Sequence, residues 1–152
     1  MTLVDVSDGI LSKAKERIEN SLNRVVKKEF KDPKEGEDFV KKAMSHIGMS
    51  TDVERSVVSC DLVIEAIIEN IKIKQELFTR LDKAAPSSTV FASNTSSLSI
   101  TEIASSVTRK DRFGGLHFFN PVPVMELVEV IRTDQTSEET FQLLFSFVKM
   151  IN

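Results

Sequence analysis

The segment "LHFFNPVPVMELVEVI", residues 116–131, places His117 and Glu129 in apolar runs separated by Pro121 and Pro123. A valine or leucine would pack better at either position, so the pair needs a reason. If the two runs form a hairpin centred on Pro123, His117 and Glu129 lie six positions away on either side and face each other. Directly opposed strand residues have Cβ atoms about 4.5–5.5 Å apart, close enough for an imidazole to donate one ring N–H to a carboxylate. Such a partner fixes the tautomer, leaves the other ring nitrogen free to take a proton, and stabilises the imidazolium that forms. That is the equipment of a general base. The competing reading is a histidine satisfied by backbone, with Glu129 at a solvated strand edge, and spacing alone leaves both open.

Polar side chains gather a second time in "FASNTSS", residues 91–97, where an apolar strand gives way to Asn94, Thr95, Ser96 and Ser97. Ligands of open α/β sheets sit beyond the carboxyl ends of the strands, which suits these hydroxyls and amides. Serine and asparagine are also ordinary loop and cap residues. Asp5 closes the first strand-like run, where a carboxylate can meet ribose hydroxyls or serve as a loop residue. Arg24, Lys27, Lys28 and Lys31 make the first helix locally basic, as a phosphate-attracting surface or simply a solvated face. His46 has no carboxylate or cysteine partner at ligand spacing, so it reads as structural, and no metal set is expected.

These residues are positioned by alternating strands and helices. Residues 2–6 read as a strand, and Ser7-Asp8 as a helix start. Leu11, Ala14, Ile18, Leu22, Val25 and Val26 recur at helical spacing. Pro33 and Gly36 are expected to break this helix, which "EDFVKKAMSHI" resumes, giving a helical hairpin. "CDLVIEAI" (60–67) reads as a parallel strand buried on both faces, followed by a helix over 71–85 and a strand over 88–93. Ser99 and Glu102 form a capping box for a short helix, and the proline hairpin and a closing helix over 137–149 follow. The alternation predicts an α/β fold with a mostly parallel sheet.

A chain of 152 residues with 41% hydrophobic content can bury one ordinary core, so one domain is expected. Its net charge of −3 gives no support to a general nucleic-acid or anionic-membrane surface. No apolar run approaches the roughly 20 residues of a membrane span. The single Cys60 cannot form an internal disulfide and reads as a small buried hydrophobe.

Three stretches go beyond pattern: "VIEAIIENIKIKQELFTRLD" (63–82), "FASNTSSLSI" (91–100) and "DRFGGLHFFNPVPVMELVEVI" (111–131). Through them nearly the whole chain resembles the L-3-hydroxyacyl-CoA dehydrogenase family, especially its short-chain mitochondrial type. The resemblance implies a Rossmann-type sheet with an inserted helical hairpin. It also implies NAD-dependent oxidation of (S)-3-hydroxyacyl-CoA to 3-ketoacyl-CoA in fatty-acid β-oxidation. By resemblance, His117 is the catalytic base, Glu129 its orienting partner, and Ser96 the residue that bonds the substrate oxygen near the nicotinamide. Asp5, Glu69, Lys74, Ser96 and Asn120 are the cofactor positions, and Ser21, Lys28 and Ser96 the coenzyme A positions. A homodimer in the mitochondrial matrix is implied as well. Against the family pattern, the first strand, the glycine-rich loop and the C-terminal helical dimerisation domain are not in this sequence, so residues 1–152 are expected to be a partial NAD-binding catalytic domain. An inactive ligand-binding or self-associating fragment is the alternative.

Overall fold

The computed structural model describes residues 1–151. These fall into two compact units, Met1–Ser56 and a second that begins at Val57. The strands correspondingly form two sheets, one of two strands and one of four.

In the first unit, β1 (Thr2–Val4) pairs in parallel with β2 (Gly48–Ser50), and α1 (Asp8–Glu29) and α2 (Pro33–Ser45) lie between them in sequence. Ser7 caps α1 by accepting the Ile10 N–H at 3.3 Å. Leu11 is buried and Ala14, Ile18, Leu22 and Val26 are half-buried, as the periodicity requires; Val25 lies on the exposed side. The expected break and helical hairpin are present, with α1 ending at Glu29 and α2 starting at Pro33, but Gly36 takes no part in the break. Pro33 is the first residue of α2, where a missing N–H costs nothing, and Asp32 caps that helix by accepting from Lys34 N at 2.8 Å. Gly36 is buried within α2 because a Cβ there would overlap Val26 Cγ1 of α1, so the glycine permits close helix approach. A short helix, α3 (Val53–Val57), and β2 itself were not foreseen. Both are too short to carry a periodic signal.

The second unit contains β3 (Leu62–Glu65), α4 (Ile71–Ala84), β4 (Val90–Ser93), α5 (Ile100–Ala104), β5 (Phe113–Phe118), β6 (Val128–Ile131) and α6 (Glu138–Ile151). The sheet order is β3-β4-β5-β6, with β3, β4 and β5 parallel and β6 antiparallel to β5. The strand buried on both faces is β4. On one face Val90 and Ala92 join Leu116, Leu144 and Val148 beneath α6. On the other, Phe91 meets Phe78 of α4 and Phe113 of β5, with the Phe78 and Phe113 rings edge-on at 4.7 Å. The expectation that 60–67 is doubly buried is corrected: β3 is an edge strand of this sheet, and Ile64 is 36% exposed.

Gly114 and Gly115 let β5 pack closely. A Cβ at Gly114 would lie 2.6 Å from Leu144 Cδ1 and 3.1 Å from the Ile131 carbonyl oxygen, while one at Gly115 would lie 2.9 Å from Ile100 Cδ1. We expect Gly114→Val to cost about 1–3 kcal/mol through overpacking, measured by urea unfolding. No loss would show that α6 has room to retreat.

Asp82, at the end of α4, holds Arg109 at 2.6 Å and accepts both the Thr108 N–H and hydroxyl. The guanidinium also bonds backbone carbonyls of Asp82 and Ala85, and lies 5.0 Å over the Phe91 ring. Burial pushes the Asp82 carboxyl upward, but the Thr108 bonds and Arg109 outweigh it and hold it below the usual aspartate range. A carboxyl depressed in the folded state contributes stability that is present above the unfolded value, about 3.9, and lost as pH falls through the folded value. The stability difference between the wild type and Asp82→Ala, about 3 kcal/mol near neutrality, is therefore expected to shrink below about pH 4. Chemical denaturation across that range checks this.

Candidate active site

The carboxyl ends of β3, β4 and β5 lie at one edge of the sheet, and the antiparallel β6 begins there. Every candidate residue of the second unit follows from this arrangement. His117 is directly opposite Glu129 in the β5–β6 ladder, the register expected from the proline turn. The His117 Nδ1–H donates to Glu129 Oε2 at 2.7 Å. The carboxylate can only accept, so the bond places the neutral ring's proton on Nδ1 and leaves Nε2 as the lone-pair nitrogen. The imidazole side chain is 15% exposed, Glu129 is 54% exposed, and Phe119 lies against the imidazole at 4.5 Å between ring centres.

The loop after β4 reaches the same edge. Asn94 ties the strand ends together: its N–H donates to the Glu65 carbonyl at 2.7 Å, and its side-chain oxygen accepts the Phe118 N–H at 2.9 Å. Thr95 is buried and donates its hydroxyl to Glu69, while its oxygen accepts the Leu98 N–H at 3.0 Å. Ser96 is exposed, and its hydroxyl has no partner among the described residues. With Thr95, Leu98, Glu129 and Ile131 it lines an open depression of about 280 Å³. The structure thus brings Ser96 and the dyad's carboxylate to one hollow.

Glu69 also accepts the Ser97 hydroxyl at 3.3 Å and pairs with Lys74 at 3.4 Å. The Thr95 hydroxyl holds its carboxyl below the usual glutamate range, with Lys74 adding to this against the opposing effect of partial burial. Lys74 itself is fully buried, and its ammonium is 2.7 Å from the equally buried Glu65. Asn120 is exposed just beyond β5, at a cis peptide with Pro121. Glu65 and Ser93 are the residues the sequence reading missed. The available signal was a carboxylate in the apolar run "LVIEAI", the same anomaly that marked Glu129.

In the first unit, Asp5 is exposed just past β1, and its carboxylate accepts the Val6 N–H at 2.7 Å. Ser21 and Lys28 are two turns apart on one face of α1, with Ser21 half-buried and Lys28 exposed. His46 is satisfied by backbone, its Nδ1 lying 2.6 Å from the Lys42 carbonyl oxygen. Among the described residues no group of three or more His, Cys, Asp or Glu is arranged to hold a metal, and no helix is long and apolar enough to cross a membrane.

A mostly parallel sheet flanked by helices, with polar loops and a His–Glu pair at its carboxyl edge, is the arrangement of a Rossmann-type α/β domain. Residues 1–152 match the family described as "3-hydroxyacyl-CoA dehydrogenase, NAD binding domain". The chain belongs to that family. It is 57% identical over 152 residues to the mitochondrial hydroxyacyl-coenzyme A dehydrogenases of Mus musculus and Homo sapiens, covering 99% of this chain and 48% of each relative. Its fold matches the crystal structure of (S)-3-hydroxybutyryl-CoA dehydrogenase from Ralstonia eutropha with a TM-score of 0.90 and 39% identity, covering 99% of this chain and 51% of that one. The chain therefore spans about half the length of the curated relatives it matches.

Proposed function

We propose that this chain supplies the cofactor-binding and proton-accepting part of an NAD-dependent 3-hydroxyacyl-CoA dehydrogenase. The observation that carries the reading is the 2.7 Å His117–Glu129 bond at the carboxyl edge of the sheet. Polar groups that follow the ends of β3, β4 and β5 fit a nicotinamide nucleotide: the Glu69 carboxylate can accept from hydroxyl or amide groups, and the Ser96 hydroxyl and the exposed Asn120 amide can donate to a carboxamide or hydroxyl oxygen. Lys74 acts through Glu69, since its own ammonium is buried. Asp5 is suited to the adenosine ribose, where a carboxylate accepts hydroxyls and disfavours a 2′-phosphate. NAD held there would supply the hydride acceptor for the substrate carbon C3.

The chain's own contribution is to position and to deprotonate. Ser96 donates to the substrate oxygen, and His117 Nε2 takes the proton from the 3-hydroxyl as its O–H bond breaks. Glu129 then faces an imidazolium, which it stabilises by charge. In the reverse direction the same nitrogen returns the proton to the ketone oxygen. Ser21 and Lys28 lie on one face of α1, as a hydroxyl and an ammonium for the coenzyme A portion. The mitochondrial names of the relatives support a mitochondrial location; the matrix as compartment and a homodimeric assembly are the finer part of the proposal and rest on the family resemblance.

The test is NAD reduction by (S)-3-hydroxybutyryl-CoA, measured with the natural full-length protein that carries this chain. Turnover with NAD well above that with NADP is expected. Failure to reduce either cofactor with short- and long-chain 3-hydroxyacyl-CoA would end the proposal.

A further inference from the structure

Lys74 projects from α4, in the amphipathic segment "IKIKQELF", yet its side chain is fully buried. Its three ammonium protons have three acceptors: Glu65 Oε1 at 2.7 Å, Glu69 Oε2 at 3.4 Å and the Ile67 carbonyl at 3.4 Å. Glu65, equally buried, is matched on its other sides: Oε1 accepts the Ile67 N–H at 2.6 Å and Oε2 accepts the Ser93 hydroxyl at 2.6 Å. Glu69 passes the connection on to the hydroxyls of Thr95 and Ser97, on either side of Ser96. A chain of contacts thus runs from the end of β3 through α4 to the loop that carries Ser96.

A buried ion pair is a poor way to gain stability, because desolvating two charges offsets most of their attraction, and a well-packed apolar pair does as well. Fixing a geometry is the better-supported use of such a network. We propose that Glu65 is a positioning residue for the site. By holding Lys74 it keeps the Glu69 carboxylate under Thr95 and Ser97, and so sets where Ser96 presents its hydroxyl. This deepens the functional reading above and rests on it for the identity of the reaction.

Glu65→Gln tests the idea, because glutamine keeps the size and an acceptor but removes the charge. Lys74 is then left with Glu69 as its one anionic partner and draws it away from the loop hydroxyls. In the natural full-length protein, two readouts are taken. Amide hydrogen exchange at Ser97 and Leu98, whose N–H groups bond Thr95 Oγ1, is expected to quicken at least about tenfold, while exchange in the β4 strand stays as in the wild type. Turnover is expected to fall roughly 100-fold, the scale of a displacement of about 1 Å at a reacting group, with a smaller change in KM for the acyl-CoA. If Glu65→Gln fails to fold, Glu65→Gln/Lys74→Met removes both buried charges at similar volume, and the same measurements apply. Exchange at Ser97 and Leu98 equal to wild type in a folded variant would overturn the proposal. A wild-type protein without dehydrogenase turnover would overturn the functional reading instead, and the exchange result would still decide the positioning role.

Discussion

His117→Ala, in the natural full-length protein, is expected to lower turnover by about 10²–10⁴-fold while NAD affinity stays within a few-fold of wild type. The reasoning follows from which atoms remain. In the proposed reaction the alcohol proton leaves with the hydride, and Nε2 is the lone-pair nitrogen that the Nδ1–Glu129 bond leaves available for it. Alanine leaves solvent water as acceptor, a far weaker base. The ring is half-buried against Phe119 and belongs to no large core cluster, so the variant should unfold close to the wild-type temperature. Turnover at the wild-type rate would remove the proposed mechanism. A matched loss of NAD binding and thermal stability would instead give His117 a structural role.

Glu129→Gln is expected to reduce turnover by about 10²-fold, less than the loss for the histidine. Glutamine can still accept the Nδ1–H through its oxygen, but it no longer offers charge to the imidazolium. If its amide turns to present the NH₂, it forces the other tautomer and blocks Nε2. Buried acid–histidine pairs lose about 10⁴-fold on the equivalent change. Glu129 is 54% exposed, and water recovers part of the missing charge stabilisation. Single-turnover measurement of the hydride step discriminates: an unaffected step would mean that the carboxylate contributes nothing beyond ring orientation.

The sequence exposed these two residues because they break a local rule in apolar strands, and because turn symmetry turns a spacing into a register. The cap of α5 was legible for a similar reason, since Ser99 accepts the Glu102 N–H at 3.2 Å within a short motif. Glu65 left the same local anomaly in "LVIEAI", but its pairing with Lys74 was not legible. Lys72 and Lys74 look alike in "IKIK", and only the packing of α4 on the sheet decides which ammonium is buried. Gly36 was misread because a glycine that permits helix contact has the same local signature as one that ends a helix. The edge status of β3 was hidden because its run of apolar side chains says how much surface is greasy, not how many neighbours the backbone has.

One consequence of the β5–β6 pairing concerns how this connection can change length. Side chains alternate faces along β6, so a shift of one position would send Glu129 to the opposite side of the ribbon and place Val128 or Val130 opposite His117. Additions beyond Phe119 and Asn120, which stand beside the imidazole and in the proposed cofactor set, leave the pair intact only if the ladder keeps its phase. Drift in that phase is quantised in steps of two, and even an allowed step exchanges Glu129 for Leu127 or Ile131, neither of which can accept a proton.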